Sequence, residues 1–285
     1  MKIQRVGVVG CGLMGSGIVQ VCAQSSYDVL VAENSPELLQ KGLTTVNASL
    51  EKAVKKGSLK PAEKELVLAH VKGTTEIRDF QACDLVIEAV VENLDLKQSI
   101  FTKLDGVCPP DTILATNTSS LSVEEIMSVT KRPEKCLGLH FFNPVPSMKL
   151  MEVVKTTATS DSTMETGKEF GKSLGKTAVG VMDSPGFIVN RLMTPQILNA
   201  IRLVESGTAA KEDIDTAMNL GLNHPIGPLA LADLIGLDTL LSIADSIYRK
   251  TGDKQYAAPD TLKKLVAEGN LGRKTGHGFY IYSKS

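Results

Sequence analysis

Residues 5–15 read RVGVVGCGLMG, and this stretch decides the fold. Its first six residues form a nearly continuous apolar run, the pattern of a strand buried on both faces of a parallel sheet. The run leads into a G-x-G-x-x-G pattern, in which Gly10 permits a tight turn, Gly12 lets the backbone approach a pyrophosphate, and Gly15 lets the next helix pack closely. The unpaired N–H groups at that helix start favour an anion. The predicted dinucleotide cradle comprises Gly10, Gly12, Leu13, Met14 and Gly15.

An acidic residue follows the second predicted strand, which covers residues 28–32. Glu33 lies close to the roughly 20-residue spacing expected for the carboxylate that binds the ribose 2′-hydroxyl. A carboxylate at this point repels a 2′-phosphate, so the pattern favours NAD over NADP. Two alternatives stay open on spacing alone: a glycine turn that binds nothing, and an exposed acid at a strand end.

The order of the remaining elements predicts two domains. Up to residue 183, helices alternate with apolar strands over 84–91, 112–116, 136–142, 150–155 and 177–181, which predicts a Rossmann-type, doubly wound and mostly parallel α/β sheet. At residues 183–186 the strand signals stop. Helices are predicted over 187–205, 211–220, 227–235, 237–250 and 259–268. We therefore predict a dinucleotide-binding domain over 1–183 and an all-α domain over 184–285.

Polar side chains follow the strands that should end at the ligand crevice. Glu92 and Lys97 come after strand 84–91, and Asn117 and Ser119 come after strand 112–116. In a doubly wound sheet the carboxyl ends of the strands line the crevice, so these residues are candidates for holding the cofactor. A solvated ion pair is the alternative for Glu92 and Lys97.

A candidate acid–base pair lies beyond the cradle. Residues 138–144 read GLHFFNP and deliver His140 and Asn143 at a strand end, while Glu152 lies on the next predicted strand. A neutral imidazole can take a proton near neutral pH, and a carboxylate on its other nitrogen would fix the tautomer. A purely structural histidine is the alternative. A nucleophilic triad with Ser119 is disfavoured, because the chain has no G-x-S-x-G elbow there and hydrolysis needs no dinucleotide cradle.

Composition excludes several classes of protein. The chain has 285 residues, 42% of them hydrophobic, and a net charge of −1, which offers no electrostatic footprint for nucleic acid. No apolar run approaches the roughly 18 residues of a spanning helix, and a strand beginning by Ile3 leaves no room for a signal peptide. The five scattered cysteines suggest neither a disulfide framework nor a zinc site. We therefore expect a cytoplasmic protein without a metal.

Several long motifs, in order along nearly the whole chain, resemble the L-3-hydroxyacyl-CoA dehydrogenase family, and within it the short bacterial-type 3-hydroxybutyryl-CoA dehydrogenases. The motifs are VVGCGLMG at 8–15, VVEN at 90–93, TNTSSL at 116–121, GLHFFNPVP at 138–146, DSPGFIVNR at 183–191 and GRKTGHGFY at 272–280. Glu33 departs from the family pattern, where aspartate is common, but keeps the charge.

This resemblance implies NAD-dependent oxidation of (S)-3-hydroxyacyl-CoA and the reverse reduction. It implies that His140 is the acid–base catalyst, that Glu152 orients it, and that Ser119 and Asn190 contact the reacting oxygen in a cleft between the domains. Residues implied for the cofactor are Glu33, Glu92, Lys97, Asn117 and Asn143, and those for the acyl-CoA substrate are Ser49 and Lys56. The likeness also implies a homodimer through the helical domain. A dehydrogenase of a free hydroxy acid and a non-catalytic redox sensor are the alternatives.

Overall fold

The structure is a computed structural model that describes residues 2–283. The chain divides into two compact units, with the boundary between Ser184 and Pro185. Within the described residues, the first unit holds all strands of the sheet, and the second consists of helices, loops and two isolated β-bridges. The substrate and dimerisation roles expected of the second unit stay predictions.

A single sheet organises the first unit. Its strands are β1 (Arg5–Val9), β2 (Asp28–Ala32), β3 (Val71–Thr74), β4 (Leu85–Glu88), β5 (Ile113–Thr116), β6 (Cys136–Phe141), β7 (Leu150–Lys155) and β8 (Thr177–Met182). Within residues 2–283 the eight strands follow the order β3-β2-β1-β4-β5-β6-β7-β8. All neighbours are parallel except β6 and β7. The first six strands have the order of dinucleotide-binding folds. The predicted Rossmann-type, mostly parallel sheet is confirmed.

The helices of the first unit begin where short polar side chains can cap them. Ser35 accepts a hydrogen bond from the N–H of Leu38 at 3.3 Å, and Pro36 takes the first helical position. Asn93 caps a later helix through the N–H of Leu96. The helices are α1 (Leu13–Gln24), α2 (Pro36–Lys55), α3 (Pro61–Ala69), α4 (Leu94–Val107), α5 (Val123–Met127) and α6 (Asp161–Ser173), with 3₁₀ turns at Ile77–Ala82 and Pro133–Lys135.

The core of the first unit explains its apolar strands. β4 and β5 are buried along their whole length, as expected for central strands covered on both faces. At Gly7 on β1 an added Cβ would lie 2.4 Å from the Phe80 ring, so glycine lets this aromatic side chain pack against the strand. Close packing of this kind makes the carboxyl end of the sheet a rigid platform for polar side chains.

The sheet departs from the sequence prediction at two strands. β3 was not predicted, because this strand is short, lies half exposed at a sheet edge, and has a sequence, VKGT, without a clear apolar pattern. The predicted strand over 84–91 ends at Glu88. Beyond it the N–H of Val90 turns to the Glu88 carboxylate at 2.6 Å, and the Val91 side chain is 70% exposed. The apolar run alone therefore overestimated the length of this strand.

The second unit is built from helices around its own core. The helix predicted from 187 begins at Val189, because Phe187 has a φ of 48° and cannot belong to a right-handed helix. The core includes Leu198, Leu229 and Leu240, each fully buried. The helices are α7 (Val189–Glu205), α8 (Lys211–Leu222), α9 (Pro228–Ile235), α10 (Leu237–Thr251) and α11 (Asp260–Ala267), with 3₁₀ turns at Lys254–Tyr256 and Arg273–Thr275.

A buried aspartate holds the last described residues against this core. Asp233, 1% exposed, accepts hydrogen bonds from the backbone N–H groups of Phe279 and Tyr280 and from the Tyr282 hydroxyl, each at 2.9 Å. An added Cβ at Gly278 would lie 2.0 Å from the Asp233 carboxylate, so only glycine fits there. The G-x-G-F-Y part of the tail motif is therefore explained by packing and hydrogen bonding.

Candidate active site

The glycine pattern forms a cradle between β1 and α1. Gly10 adopts a φ of 97°, and an added Cβ at Gly15 would lie 1.9 Å from the Gly10 carbonyl oxygen, so both positions require glycine. At Gly12, by contrast, an added Cβ would meet no heavy atom within 4 Å. A Cβ added at Gly12 would thus point into open space at the start of α1, where the helix N–H groups face outward. These residues fit a pyrophosphate.

Glu33 lies beside this cradle, directly after β2. One carboxylate oxygen accepts the N–H of Cys11 at 2.6 Å, and the other lies 3.3 Å from the N–H of Asn34. The carboxylate is thereby fixed at the rim of the cradle, on the β2 side of β1. The arrangement fits a ribose diol at this point, and the contact itself stays a prediction.

His140 and Glu152 form a close pair across the antiparallel strands β6 and β7. The strand register places them directly opposite each other, and Nδ1 of His140 lies 2.7 Å from Oε2 of Glu152. Both are buried, with His140 5% and Glu152 1% exposed. Because an ionised carboxylate only accepts hydrogen bonds, Nδ1 carries the hydrogen, and Nε2 is the nitrogen that can exchange a proton.

An ionic triad, formed by the buried Glu88 and Lys97 and the exposed Glu92, lies past the ends of β4 and β5. The Lys97 ammonium is 2.7 and 2.9 Å from the two oxygens of Glu88 and 3.2 Å from Oε2 of Glu92. Glu88 is fully buried and Lys97 is 1% exposed, whereas the Glu92 side chain is 33% exposed, so the ion pair of Lys97 with Glu92 is solvated only on the Glu92 side. Glu88 was missed because it ends an apolar strand.

Glu92 also holds the segment that carries Ser119. Its Oε1 accepts the hydroxyl of Thr118 at 2.5 Å, and the N–H groups of Ser119 and Ser120 at 3.0 Å. Burial raises the pKa of Glu92, but the Lys97 charge and these hydrogen bonds outweigh burial and hold the pKa below its usual range. The carboxylate is therefore ionised at neutral pH, and it links the triad to the Ser119 backbone.

Two further contacts join this region to the His140 strand. The side-chain oxygen of Asn117 accepts the N–H of Phe141 at 2.9 Å, which ties the end of β5 to the end of β6. Lys176, buried and missed by the sequence analysis, donates to the carbonyls of Val145 and Met148, each at 2.8 Å. It thus anchors the segment that follows Asn143, which itself is exposed.

The remaining predicted residues lie on other helices of the chain. Ser49 and Lys56 lie on and at the end of α2, about two turns apart, with Ser49 half-buried and Lys56 exposed. Asn190 is the second residue of α7 in the second unit and is 7% exposed. The predicted acyl-CoA contacts of Ser49 and Lys56, and the predicted contact of Asn190 with the reacting oxygen, stay predictions.

Comparison with known proteins identifies the family. Residues 5–184 match the 3-hydroxyacyl-CoA dehydrogenase NAD-binding domain, and residues 186–282 match the 3-hydroxyacyl-CoA dehydrogenase C-terminal domain. The chain belongs to the 3-hydroxyacyl-CoA dehydrogenase family. Its first unit is therefore the NAD-binding domain of this family of oxidoreductases.

Similar members of the 3-hydroxyacyl-CoA dehydrogenase family are matched along their whole length. The 3-hydroxybutyryl-CoA dehydrogenase of Clostridioides difficile is 49% identical over 98% of this chain and 100% of the relative. Among solved structures, FadB2 of Mycobacterium tuberculosis has a TM-score of 0.96 at 45% identity, and (S)-3-hydroxybutyryl-CoA dehydrogenase PaaH1 of Ralstonia eutropha has 0.95 at 46%. Each covers 99% of this chain and 100% of its own.

Two features, a group of metal-binding side chains and a membrane-spanning helix, are absent from the part of the chain that the structure describes. In residues 2–283 no three His, Cys, Asp or Glu side chains are grouped as they would be around a metal ion. In the same residues no helix combines the length and apolarity needed to cross a membrane. All five cysteines are described, and each is buried and unbridged.

Proposed function

We propose that the chain catalyses the NAD-dependent oxidation of (S)-3-hydroxyacyl-CoA, chiefly 3-hydroxybutyryl-CoA, to the 3-ketoacyl thioester, and the reverse reduction of acetoacetyl-CoA. Membership of the family and the full-length relatives named 3-hydroxybutyryl-CoA dehydrogenase support this activity. The observation that carries it is the buried 2.7 Å contact between His140 and Glu152, in the same unit as an open dinucleotide cradle.

The proposed mechanism assigns proton transfer to His140. Bound NAD supplies the hydride acceptor, positioned by the cradle and by Glu33, Glu92, Lys97, Asn117 and Asn143. During oxidation Nε2 of His140 takes the proton of the 3-hydroxyl group, and the Glu152 carboxylate stabilises the imidazolium that forms. During reduction the same imidazolium returns its proton to the oxygen of the substrate.

Ser119 is proposed to stabilise charge on the reacting oxygen. Its backbone is held by Glu92, so a hydroxyl group there is positioned before the substrate arrives. A donor fixed in advance is most effective where charge develops, because it need not reorient during the reaction. Replacing Ser119 with alanine should therefore lower kcat more than it raises the KM for acetoacetyl-CoA.

The activity is tested by offering acetoacetyl-CoA with NADH, and separately with NADPH, and following loss of the reduced nicotinamide. We expect rapid oxidation of NADH, little of NADPH, and little turnover of free acetoacetate. His140→Ala should bind NADH normally and lose at least ~100-fold in turnover. Near-normal turnover of this variant would refute the assignment of His140. Activity on acetoacetate rather than acetoacetyl-CoA would instead identify a free-acid dehydrogenase.

The acyl-CoA contact is proposed for Ser49 and Lys56. A lysine at the end of α2 can meet a phosphate of the CoA moiety as a point charge. Lys56→Ala should raise the KM for acetoacetyl-CoA on the order of threefold to tenfold, as expected for one exposed charge, and leave kcat nearly unchanged. Lys55→Ala is the matched control on the same helix. Equal effects of the two substitutions would argue against a specific contact.

A homodimer and a cytoplasmic location complete the proposal. Leu192, Leu220 and Leu222 of the helical unit are 70%, 82% and 63% exposed, and a second copy of the chain is proposed to cover them. Sedimentation should give twice the chain mass of 30.5 kDa, and a monomer mass would refute the dimer. The unbridged cysteines favour a reducing compartment, which cell fractionation can check.

A further inference from the structure

Helix α7 contains a proline shortly after the residue predicted to contact the reacting oxygen. Asn190 is the second residue of this helix, and Pro195 lies inside it, five positions later. Proline has no backbone N–H, and in a helix its ring crowds the carbonyl of the residue four positions earlier, which here is Arg191. The Arg191 carbonyl therefore cannot accept the i→i−4 hydrogen bond that an ordinary residue at position 195 would donate.

The Tyr256 hydroxyl supplies the donor that Pro195 lacks. It donates a hydrogen bond of 3.0 Å to the carbonyl oxygen of Arg191. Tyr256 is only 3% exposed, and it forms a small core cluster with Ile243 and Ile247. A tyrosine hydroxyl that is buried usually finds a hydrogen-bond partner, and here the partner is the backbone in the first turn of α7.

The 3₁₀ turn Lys254–Tyr256 is also fixed to the other end of α7. Arg202, in the last turn of the helix, donates to the carbonyl of Ala257 at 2.6 Å, directly after the 3₁₀ turn. Arg191 and Arg202 are 11 residues apart, about three helical turns, so both contacts lie on the same face of α7. The turn therefore spans the helix and fixes where Tyr256 meets its first turn.

The chain enters α7 through a strained backbone. Phe187 has a φ of 48° and Gly186 a φ of 80°, and the N–H of Arg191 bonds to the Gly186 carbonyl at 3.0 Å. Left-handed backbone at a bulky residue persists only where the surrounding structure holds it. An added Cβ at Gly186 would lie 2.7 Å from Cδ1 of Ile247, which belongs to the Tyr256 cluster. The start of α7 thus depends on contacts from this cluster.

We propose that Tyr256 is a positioning residue for Asn190. By replacing the N–H that Pro195 lacks, its hydroxyl fixes the first turn of α7, and Asn190, which is 7% exposed, follows the backbone of that turn. This inference rests on the proposed function together with the predicted contact of Asn190 with the reacting oxygen. Tyr256 is assigned no contact with substrate or NAD, because it acts through the backbone of the helix.

The first test is Tyr256→Phe, which removes the hydroxyl and keeps the ring. We expect kcat for the reduction of acetoacetyl-CoA by NADH to fall on the order of threefold to tenfold, the size expected for one neutral hydrogen bond. The KM for acetoacetyl-CoA and the Kd for NADH should stay nearly unchanged, because the cradle lies in the first unit. Tyr248→Phe, on α10 and 37% exposed, is the matched control and should keep the wild-type kcat.

Rescue by Pro195→Ala separates positioning from packing. This substitution restores a backbone N–H at position 195, which can bond to the Arg191 carbonyl without Tyr256. Y256F/P195A should therefore have the kcat of P195A within about twofold. Wild-type kcat in Y256F, or an equal loss with and without Pro195, would overturn the inference while the proposed function stands. If Y256F does not fold, failure of Y256F/P195A to fold with the kcat of P195A would overturn it as well.

Amide hydrogen exchange gives a readout that needs no turnover. Residues 189–194 should exchange at least about threefold faster in Y256F than in the wild type, and Y256F/P195A should match P195A, while residues 211–222 of α8 stay unchanged. Unchanged exchange at the start of α7 would overturn the inference. Absence of acetoacetyl-CoA turnover in the wild type would instead refute the proposed function, and with it the catalytic role of the contact.

Discussion

Gly12→Ala should weaken cofactor binding with little change in stability, whereas Gly15→Ala should lower the stability, although both change one glycine of the same cradle. At Gly12 the backbone is extended, with a φ of −71° rather than a positive one, and an added Cβ would meet no heavy atom within 4 Å. At Gly15 the Cβ would lie 1.9 Å from the Gly10 carbonyl oxygen and 2.8 Å from the carbonyl carbon. The first substitution fills open space, and the second collides with backbone.

The magnitudes follow from these contacts. Gly12→Ala should change the free energy of unfolding by less than about 1 kcal/mol, because no native contact is disturbed. It should weaken NADH binding at least tenfold, about 1.4 kcal/mol, because a methyl group occupies the place proposed for the pyrophosphate. Gly15→Ala should lower the free energy of unfolding by about 3 kcal/mol, since the colliding atoms are backbone and α1 must move away from β1.

Urea denaturation and a fluorescence titration with NADH, run on both variants, test this reasoning. NADH binding by Gly12→Ala with wild-type affinity would show that the open space above Gly12 is not used by the cofactor. A Gly15→Ala variant as stable as the wild type would show that the close approach of α1 to β1 is not required.

Three further outcomes are expected. Glu152→Gln should lower turnover 10- to 100-fold with little change in the Kd for NADH, because the loss of a charged hydrogen bond costs about 1.5–3 kcal/mol. Stopped-flow kinetics test this, with Glu165→Gln as the control. Asp233→Ala should destabilise the protein by about 3 kcal/mol, because three donors lose their acceptor. Asp238→Ala, which removes an exposed ion pair, should cost less than about 1 kcal/mol. Thermal denaturation distinguishes the two variants, and equal losses of stability would contradict the role assigned to Asp233. Burial, with help from Glu33, raises the pKa of Cys11 to about 11 from 9.0, and burial also raises the pKa of Cys108 and of Cys136 to about 11. Because these thiols ionise at lower pH in the unfolded chain than in the folded protein, the free energy of unfolding should fall between pH 9 and pH 11. Urea titrations across this range test the expectation, and a flat profile would contradict it.

The sequence predicted the parts of the site whose patterns follow from local rules. Glycine at Gly10 and Gly15 is dictated by the turn and by the helix that follows it, so the cradle is visible in six residues. The pairing of His140 with Glu152 was inferred from their separation, and the antiparallel register confirms that they meet.

Other features depend on tertiary contacts that no local pattern encodes. Glu88 ends a strand of apolar residues, and only the arrival of Lys97 from α4 and Thr116 from β5 makes its burial tolerable. Lys176 has the sequence context of a surface lysine, and its burial follows only from its hydrogen bonds to carbonyls of the segment after β6. Buried charges of this kind are recognised only when their partners are known, since charged residues in sequence normally indicate exposure.

The antiparallel contact between β6 and β7 also has a consequence for how the protein folds. His140 and Glu152 are 12 residues apart, whereas contacts between β1 and the start of β4 join residues such as Arg5 and Asp84, which are 79 apart. Closing the shorter loop costs less chain entropy, so the hairpin of β6 and β7 can form before the parallel strands find their neighbours. The proposed acid–base pair would then be among the earliest long-range contacts of the folding chain, formed before there is a cradle to bind its cofactor.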